Sequence, residues 1–383
     1  MTFLPHMLKA TELVKKARLK EATDLIIANL KANTSVSNGA PDSSGSSANH
    51  RIDLLRVLEN PKSRGNDKDR SNDVLNRLRK PRVDRRPRSP IGVDLPDGAT
   101  FLEHVCECPQ GDITYKLYVP SGYNGQPLPL LIMLHGCTQD PDDFAAGTRM
   151  NAAAEKRNVL VAYPAQPRSA NPSKCWNWFR DADQQRGAGE PAKIAAVTRQ
   201  ITEQYRVQSE RVFAAGLSAG GAAAAVLGAT YPDLYAAIGV HSGLPCGAAR
   251  DLASAMMAMQ IGKSPSLSAG PRIGSKVRTI VFHGDQDKTV NPTNSELVIA
   301  QFQASERLGG VSTTTGHASG GLSYTRTLHA SAEGLPLFEK WVIHGAGHAW
   351  SGGSLDGSFT EPRGPDASWE MLRFFLEEGS RSG

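Results

Sequence analysis

The most informative segment of this 383-residue chain reads Arg211-Val-Phe-Ala-Ala-Gly-Leu-Ser-Ala-Gly-Gly-Ala-Ala-Ala-Ala225. Its first half is apolar, as in a buried strand, and its second half is alanine-rich, as in a helix. Between them stands the pattern Gly216-x-Ser218-x-Gly220. A G-x-S-x-G pattern between a strand and a helix is typical of a nucleophile elbow, whose glycines permit the sharp turn that exposes the serine hydroxyl. The same pattern also arises by chance in small-residue loops, so Ser218 needs partners elsewhere in the chain.

The surrounding sequence predicts an α/β fold. Runs that are apolar on both faces suit buried parallel strands, and they occur at Leu128–Leu134, Val159–Tyr163, Val212–Ala215, Ala236–Val240, Val277–Phe282 and Leu337–Ile343. Helical patterns alternate with these runs, which predicts a mostly parallel central sheet covered by helices on both faces. Two alternating segments, Phe101–Cys106 and Ile113–Val119, predict an antiparallel pair at a sheet edge.

A serine hydroxyl is a weak nucleophile near neutral pH and needs a base, which in turn needs an orienting acid. The predicted strand Val277–Phe282 leads into His283-Gly-Asp-Gln-Asp287. Asp287 is the expected acid because it lies a few residues past the strand, and Asp285 is the alternative. His283 is expected to be a packed, hydrogen-bonded residue at the strand end.

The expected base follows the last predicted strand, which runs into His344-Gly-Ala-Gly-His-Ala-Trp350. His348 lies in a glycine-flanked loop that allows its imidazole to approach Ser218. His344 is expected to be a structural residue at the strand end. The chain order of serine, acid and histidine is the order found in α/β hydrolases.

An ester-cleaving serine also needs two backbone N–H groups that stabilise the oxyanion. Ala219, directly after the nucleophile, is expected to supply one of them. The other is expected from the loop Leu134-His-Gly-Cys-Thr-Gln139 after an early strand, with Cys137 as the donor.

Taken together, these motifs resemble those of the poly(3-hydroxybutyrate) depolymerase family of esterases, which is related to acetylxylan and feruloyl esterases. The resemblance covers roughly residues 100–378 and rests on His135-Gly-Cys-Thr-Gln139, Cys175-Trp-Asn-Trp-Phe179, Gly216-Leu-Ser-Ala-Gly220, His283-Gly-x-x-Asp287 and Gly345-Ala-Gly-His-Ala-Trp350. It implies the α/β-hydrolase fold, with catalysis by Ser218, Asp287 and His348. It also implies that Trp176 and Trp178 line an apolar ester-binding cleft, although core packing is an equal alternative for each.

The expected reaction is therefore hydrolysis of carboxylic esters through an acyl-enzyme, with poly(3-hydroxybutyrate) or its oligomers as substrate. Acetylated or feruloylated carbohydrate and small esters are the alternatives. A different class of function is a protein that docks on polymer granules or another surface, with hydrolysis secondary. No cofactor and no metal are expected, since Cys106-x-Cys108 has no second cysteine pair to complete a zinc site.

The first 98 residues differ in composition from the rest. Helical spacing of apolar residues predicts an amphipathic extension, as one or two helices, over residues 1–32, followed by a flexible linker over 33–98 and a catalytic domain over 99–383. Between Lys62 and Arg88 the chain has eleven Lys or Arg and four Asp or Glu, so the net charge of this segment is +7. The whole chain has a net charge of +5, and the remaining residues therefore carry −2. The charge belongs to the linker and not to a catalytic face, so nucleic-acid binding is not predicted. The helices are expected to dock on a surface or partner.

The N-terminus has no signal-peptide pattern, and no 18-residue apolar span occurs, which predicts a cytoplasmic protein without a transmembrane segment. The extracellular alternative follows from the family resemblance. Cys137 and Cys175 are expected to be neighbours that pair in an oxidising compartment and stay reduced in the cytoplasm.

Overall fold

The computed structural model of the protein describes residues 95–262, 277–303 and 308–377. These residues belong to one unit of the chain, residues 89–383. The predicted helical extension over 1–32 and the predicted linker up to residue 94 lie outside the described residues.

A ten-stranded sheet organises the described residues, in the order β1-β2-β4-β3-β5-β6-β7-β10-β9-β8. Six neighbouring strands run parallel at its centre. They are β3 (Leu128–Leu134), β4 (Leu160–Pro164), β5 (Val207–Leu217), β6 (Ala237–His241), β7 (Arg278–Gly284) and β10 (Pro336–Ile343). Each central strand contains one of the apolar runs or overlaps it to within one residue, and β3, β4 and β6 are buried along their whole length. The predicted parallel core is confirmed.

Both edges of the sheet are antiparallel. At one edge β1 (Thr100–Cys106) pairs with β2 (Ile113–Val119), as the alternating pattern predicts. At the other edge lies a hairpin that the sequence did not predict, β8 (Gly310–His317) with β9 (Ser323–Ala330), and β9 pairs with β10. Its threonines, serines and glycines leave no apolar run, and β8 is mostly exposed.

Seven α-helices and one short 3₁₀ turn, Asp181–Gln184, occur in the described residues. The helices are α1 (Pro141–Thr148), α2 (Met150–Arg157), α3 (Gly189–Gln204), α4 (Ala219–Thr230), α5 (Leu252–Ile261), α6 (Thr293–Gln303) and α7 (Ala367–Leu376). A two-residue parallel pair, β11 (Trp350–Ser351) with β12 (Thr360–Glu361), follows the main sheet.

Two hydrophobic clusters lie on opposite faces of the sheet. Successive residues of β3 alternate between them, with Ile132 in one cluster and Met133 in the other. The first cluster includes buried residues of α3, α4, α5 and α6, and the second includes those of α1, α2 and α7. Helices therefore cover both faces, as predicted. Among the described residues no helix has the length and apolar character needed to cross a bilayer.

Candidate active site

The turn from β5 to α4 places Ser218 in a strained backbone conformation. Its φ is +58° and its ψ is −117°, a region that costs a non-glycine residue on the order of 1–3 kcal/mol. The turn is tight enough that a Cβ at Gly220 would collide with the backbone carbonyl of Leu134. Ser218 N–H donates to the His241 carbonyl at 2.8 Å, which fastens the turn to β6. The sequence therefore forms the elbow that Gly216-x-Ser218-x-Gly220 predicts.

Asp287 and His348 lie in the loops after β7 and β10, and they contact each other. His348 Nδ1 donates to Asp287 Oδ2 at 2.7 Å, and the side chain of Asp287 is fully buried. The other carboxylate oxygen accepts the backbone N–H groups of Thr289 and Val290, both at 2.9 Å. Because Nδ1 carries the proton in this bond, Nε2 of His348 is left as an acceptor.

The charge of Asp287 is stabilised strongly. Burial acts to raise the pKa of Asp287, but hydrogen bonds from His283 and His348 outweigh it and hold this pKa well below its ordinary value. The carboxylate is therefore ionised at neutral pH, as a residue that fixes an imidazole tautomer must be.

The alternative acid, Asp285, has a different partner. Its Oδ2 accepts from His344 Nδ1 at 2.9 Å and its Oδ1 accepts from the Gly345 N–H at 2.8 Å. His344 Nε2 in turn accepts from the Thr325 hydroxyl at 2.8 Å. The structure thus pairs Asp285 with the histidine that was expected to be structural, and leaves His348 to Asp287.

His283 is packed and hydrogen-bonded, as predicted. It is 1% exposed, and its Nε2 donates to the Val290 carbonyl at 2.9 Å. The same nitrogen lies 3.3 Å from Asp287 Oδ2, which places a second imidazole against the acid.

His241, the last residue of β6, connects the elbow to the loop of His348, and sequence reasoning missed it. Its carbonyl holds the Ser218 N–H, while its Nε2 accepts from the Ser351 N–H at 2.9 Å. Its ring stacks on Trp350 at 5.1 Å between centroids. Burial, followed by the nearby charges of other histidines, holds the pKa of His241 well below its ordinary value, so the ring is neutral. Its position at the end of an apolar strand was the only available signal.

The loop after β3 passes directly beside Ser218. A Cβ at Gly136 would lie 3.7 Å from the Cβ of Ser218. Among the described residues, neither the Cys137 nor the Ala219 N–H donates to a protein acceptor. Both amides are thus available to a ligand, as oxyanion donors must be.

Cys137 is joined to Cys175 by a disulfide across a sequence separation of 38 residues. The two cysteines are neighbours, as predicted, and of the paired and reduced alternatives the structure has the paired one. The bond ties the loop after β3 to the segment Cys175-Trp-Asn-Trp-Phe179, which holds both tryptophans of the predicted cleft.

Trp176 lies in the core and not on the surface of a cleft. It has 0% exposure, and its indole Nε1–H donates to the His135 carbonyl at 3.1 Å. Of the two alternatives for Trp176, this burial favours core packing over substrate contact, because no part of the residue is exposed. Trp178 is 6% exposed and packs edge-on against Phe179 at 5.7 Å between centroids. Its contact with substrate stays a prediction.

A partly buried carboxylate, Glu190, binds the tryptophan segment, and no local sequence pattern indicates it. One of its oxygens accepts the Asn177 backbone N–H at 2.7 Å, and the other accepts the side-chain amides of Asn177 and Gln166, both at 2.5 Å. Gln166 Nε2 also donates to the Cys175 carbonyl at 2.9 Å. Burial, reinforced by Asp183, raises the pKa of Glu190.

The strands β5, β6, β7 and β10 are consecutive parallel neighbours, so their carboxyl ends share one edge of the sheet. Ser218, Asp287 and His348 all follow such ends. The hydrogen bonds of the described residues join Asp287 to His348 but do not include one between Ser218 and His348. Catalytic hydrogen bonds are often long before substrate binds. Within the same residues, no group of three or more His, Cys, Asp or Glu is arranged to hold a metal ion.

This combination of a parallel-centred sheet, a serine elbow after β5 and later acid and histidine loops defines an α/β hydrolase. An acetyl xylan esterase from Aspergillus awamori has the same fold, with a TM-score of 0.54 at 22% sequence identity over 64% of this chain and 94% of that chain. The chain belongs to the esterase PHB depolymerase family, whose model matches residues 113–326. The matched range contains Ser218 and Asp287, and His348 lies beyond it.

Curated relatives are named as a depolymerase and as esterases. The chain is 32% identical over 250 residues to poly(3-hydroxyalkanoate) depolymerase C of Paucimonas lemoignei, covering 62% of this chain and 58% of that protein. It is 28% identical over 201 residues to the probable acetylxylan esterase A of Aspergillus fumigatus, covering 49% of this chain and 53% of that protein. Feruloyl esterase B of Thermothelomyces thermophilus is 26% identical over 206 residues, covering 50% of this chain and 69% of that protein. The chain thus spans little more than half the length of the first two relatives.

Proposed function

We propose that the protein is a serine esterase that hydrolyses carboxylic esters through an acyl-enzyme. Ser218 is the nucleophile, His348 the general base and Asp287 the acid that orients it. The observation that carries the proposal is the 2.7 Å bond from His348 Nδ1 to the buried Asp287, located at the same sheet edge as the strained Ser218.

The reaction follows from these positions. His348 Nε2 takes the proton of the Ser218 hydroxyl while the oxygen attacks the ester carbonyl, and the amides of Cys137 and Ala219 bind the resulting oxyanion. His348 then gives its proton to the leaving alcohol, and the acyl group stays on Ser218. Water, deprotonated by His348, attacks the acyl-enzyme and releases the carboxylic acid and the free serine. Asp287 remains ionised and stabilises each transient imidazolium.

Polyhydroxyalkanoate, as polymer or oligomer, is the substrate class that the family and the Paucimonas relative support first. Acetylated or feruloylated carbohydrate is the second candidate, supported by the names of the Aspergillus and Thermothelomyces relatives. Trp178 is our candidate for contact with the acyl or alcohol group, because it is the more exposed of the two tryptophans in the Cys175–Phe179 segment. Disulfides persist in oxidising compartments, so the Cys137–Cys175 disulfide supports an extracellular location of the protein over a cytoplasmic one.

The test is a comparison of wild type with Ser218→Ala on a panel of nitrophenyl esters, hydroxybutyrate oligomers and acetylated xylan. We expect ester cleavage in the wild type and a loss of kcat on the order of 10⁴ or more in the variant. A fluorophosphonate should label wild type at Ser218 alone. Ser209→Ala is the matched control, because Ser209 is an exposed residue at the other end of β5. Substantial turnover by folded Ser218→Ala would reject the proposed nucleophile, and the ranking of substrates would choose between the two classes.

A further inference from the structure

His135, directly after β3, uses both of its ring nitrogens inside the protein. The residue is 1% exposed. Nε2 accepts from the backbone N–H of Gln166 at 3.1 Å, and Nδ1 lies 2.8 Å from the backbone carbonyl oxygen of Gly136. His135 has no place in the reaction steps above, and both of its ring nitrogens are taken by protein partners.

The two partners fix the tautomer of this ring. A backbone N–H can only donate, so Nε2 must be the unprotonated nitrogen, and a carbonyl can only accept, so Nδ1 must carry the hydrogen. Burial lowers the pKa of His135 to about 4, so the ring is neutral at physiological pH. The side chain is therefore a fixed donor aimed at the Gly136 carbonyl.

That carbonyl belongs to the same peptide group as the Cys137 N–H. A trans peptide is planar, and its C=O and N–H point in opposite directions. Holding the carbonyl oxygen toward the imidazole consequently aims the Cys137 N–H away from it, and among the described residues that N–H donates to no protein acceptor. A hydrogen bond to the carbonyl also polarises the amide, which strengthens its N–H as a donor.

The residues around this peptide constrain the chain on either side of it. Gly136 N–H donates to Gln139 Oε1 at 2.9 Å, and Gln139 N–H donates to the Gly136 carbonyl at 3.3 Å. The disulfide of Cys137 restrains the next side chain. Of these contacts, only the imidazole and Gln139 N–H reach the Gly136 carbonyl, and the imidazole bond is the shorter.

We propose that His135 is a positioning residue for ester hydrolysis, which orients and polarises the Gly136–Cys137 peptide so that the Cys137 N–H is a preorganised oxyanion donor. The inference rests on the proposed esterase function. It assigns to His135 an effect on the transition state and not on substrate binding, because the oxyanion forms only during attack.

Two variants separate this role from simple packing. In His135→Asn the amide nitrogen takes the place of Nδ1 and keeps a donor for Gly136, while the Gln166 N–H loses its acceptor. In His135→Gln the side-chain oxygen reaches the Gln166 N–H, while the donor for Gly136 is lost. Each variant removes one of the two hydrogen bonds, so the pair is matched for structural damage.

We expect His135→Gln to lower kcat on a soluble ester by about 10-fold to 100-fold with KM nearly unchanged, somewhat less than the removal of a whole oxyanion donor costs. His135→Asn should recover most of that loss. Binding of a trifluoromethyl ketone, whose tetrahedral adduct places an oxyanion in the same site, should weaken in parallel with kcat. Equal kcat in the two variants, or a loss confined to KM, would overturn the inference.

A measurement on the wild type keeps the test independent of variant folding. In protein labelled with ¹⁵N-histidine, the His135 ring should be protonated at Nδ1 and unprotonated at Nε2 near neutral pH. The opposite tautomer would overturn the inference even where both variants fail to fold. Absence of ester turnover in the wild type would instead reject the proposed function, and the oxyanion role with it. The two failures are therefore distinguishable.

Discussion

Asp285 accepts a 2.9 Å hydrogen bond from His344, and this pair lies beside the 2.7 Å pair of Asp287 with His348. Both pairs join the loop after β7 to the loop after β10. Their environments differ, because the side chains of Asp285 and His344 are 34% and 40% exposed while that of Asp287 is fully buried. The more exposed pair, Asp285 with His344, links the two loops. The buried pair, Asp287 with His348, is the one we propose to orient the catalytic base.

This arrangement predicts a ranking of two carboxylate variants. Asp287→Asn should lower kcat by about 10⁴-fold, because an amide favours the wrong tautomer of His348. The neutral amide also cannot stabilise the imidazolium that forms transiently on His348. Asp285→Asn should lower kcat far less, since its loops are also joined by the backbone bond from Asp285 N–H to the Ile343 carbonyl at 3.1 Å. The measurement is kcat on a soluble ester, with thermal unfolding as the control. A reversed ranking would make Asp285 the catalytic acid.

The central sheet could be predicted because its signal is local. The apolar run Leu128–Leu134 coincides with β3, and Ile113–Val119 coincides with β2. The β8–β9 hairpin could not be predicted in this way. Its strands are held by pairing with each other and with β10 at the sheet edge. Its residues, such as the facing Thr313 and Thr327, show no apolar periodicity that would reveal a strand.

The candidate site divides along similar lines. The elbow of Ser218 and the loop of His348 follow from glycine spacing and chain order. The choice between Asp285 and Asp287 depends on which histidine each carboxylate meets, and loop spacing left that open. The supporting contacts of His135, His241 and Glu190 join residues distant in sequence or buried among apolar neighbours, so no local pattern indicates them.

Stability should fall on acidification, in part because of His135. Its pKa is lowered from 6.5 to about 4 by burial, so the unfolded chain binds the proton more tightly than the folded one. The stabilisation is complete above about pH 6.5 and is lost progressively as the pH falls toward 4. At about 1.4 kcal/mol per pKa unit, the loss from this residue approaches roughly 3 kcal/mol.

Urea unfolding at pH 7 and pH 4.5 measures this effect. We expect the difference in unfolding free energy between the two pH values to be smaller in His135→Gln than in wild type. Part of the difference should remain, because His241 is also buried with a lowered pKa. An identical difference in both proteins would show that His135 titrates alike in the folded and unfolded chains.

Glu190→Gln should destabilise the tryptophan segment. The new amide would present its NH₂ group to donors that now bind carboxylate, namely Asn177 and Gln166. Leaving such groups unsatisfied costs about 1–3 kcal/mol. Glu203→Gln, an exposed position on the same helix α3, is the matched control. Equal unfolding free energies for the two variants would contradict the role of Glu190 as an anchor.

Loss of the Cys137–Cys175 disulfide should lower both stability and kcat. Loop-closure entropy for a separation of 38 residues corresponds to about 4 kcal/mol of stabilisation. Freeing Cys137 also releases one restraint on a proposed oxyanion donor, so kcat should fall more than KM rises. The Cys137→Ser, Cys175→Ser double variant should reproduce the effect of dithiothreitol on wild type and show no further response to it. A response in the double variant would assign the effect to another thiol.

The N-terminal residues should be dispensable for chemistry and important for attachment. All the proposed catalytic and oxyanion groups lie between Cys137 and His348, so a chain without residues 1–94 should turn over a small soluble ester at nearly the wild-type rate. The segment Lys62–Arg88, with its net charge of +7, should promote attachment to anionic surfaces. Exposed charges are screened over about 10 Å at 0.1 M salt, so that attachment should weaken as salt is added.

The measurement is sedimentation with anionic vesicles or polymer granules across a salt series. A full-length variant with the arginines of residues 77–88 changed to glutamine is the control, and it should lose the salt-sensitive part alone. If the shortened protein folds but no longer cleaves the small ester, the N-terminal residues contribute to the active site and their proposed role as a separate attachment segment is wrong.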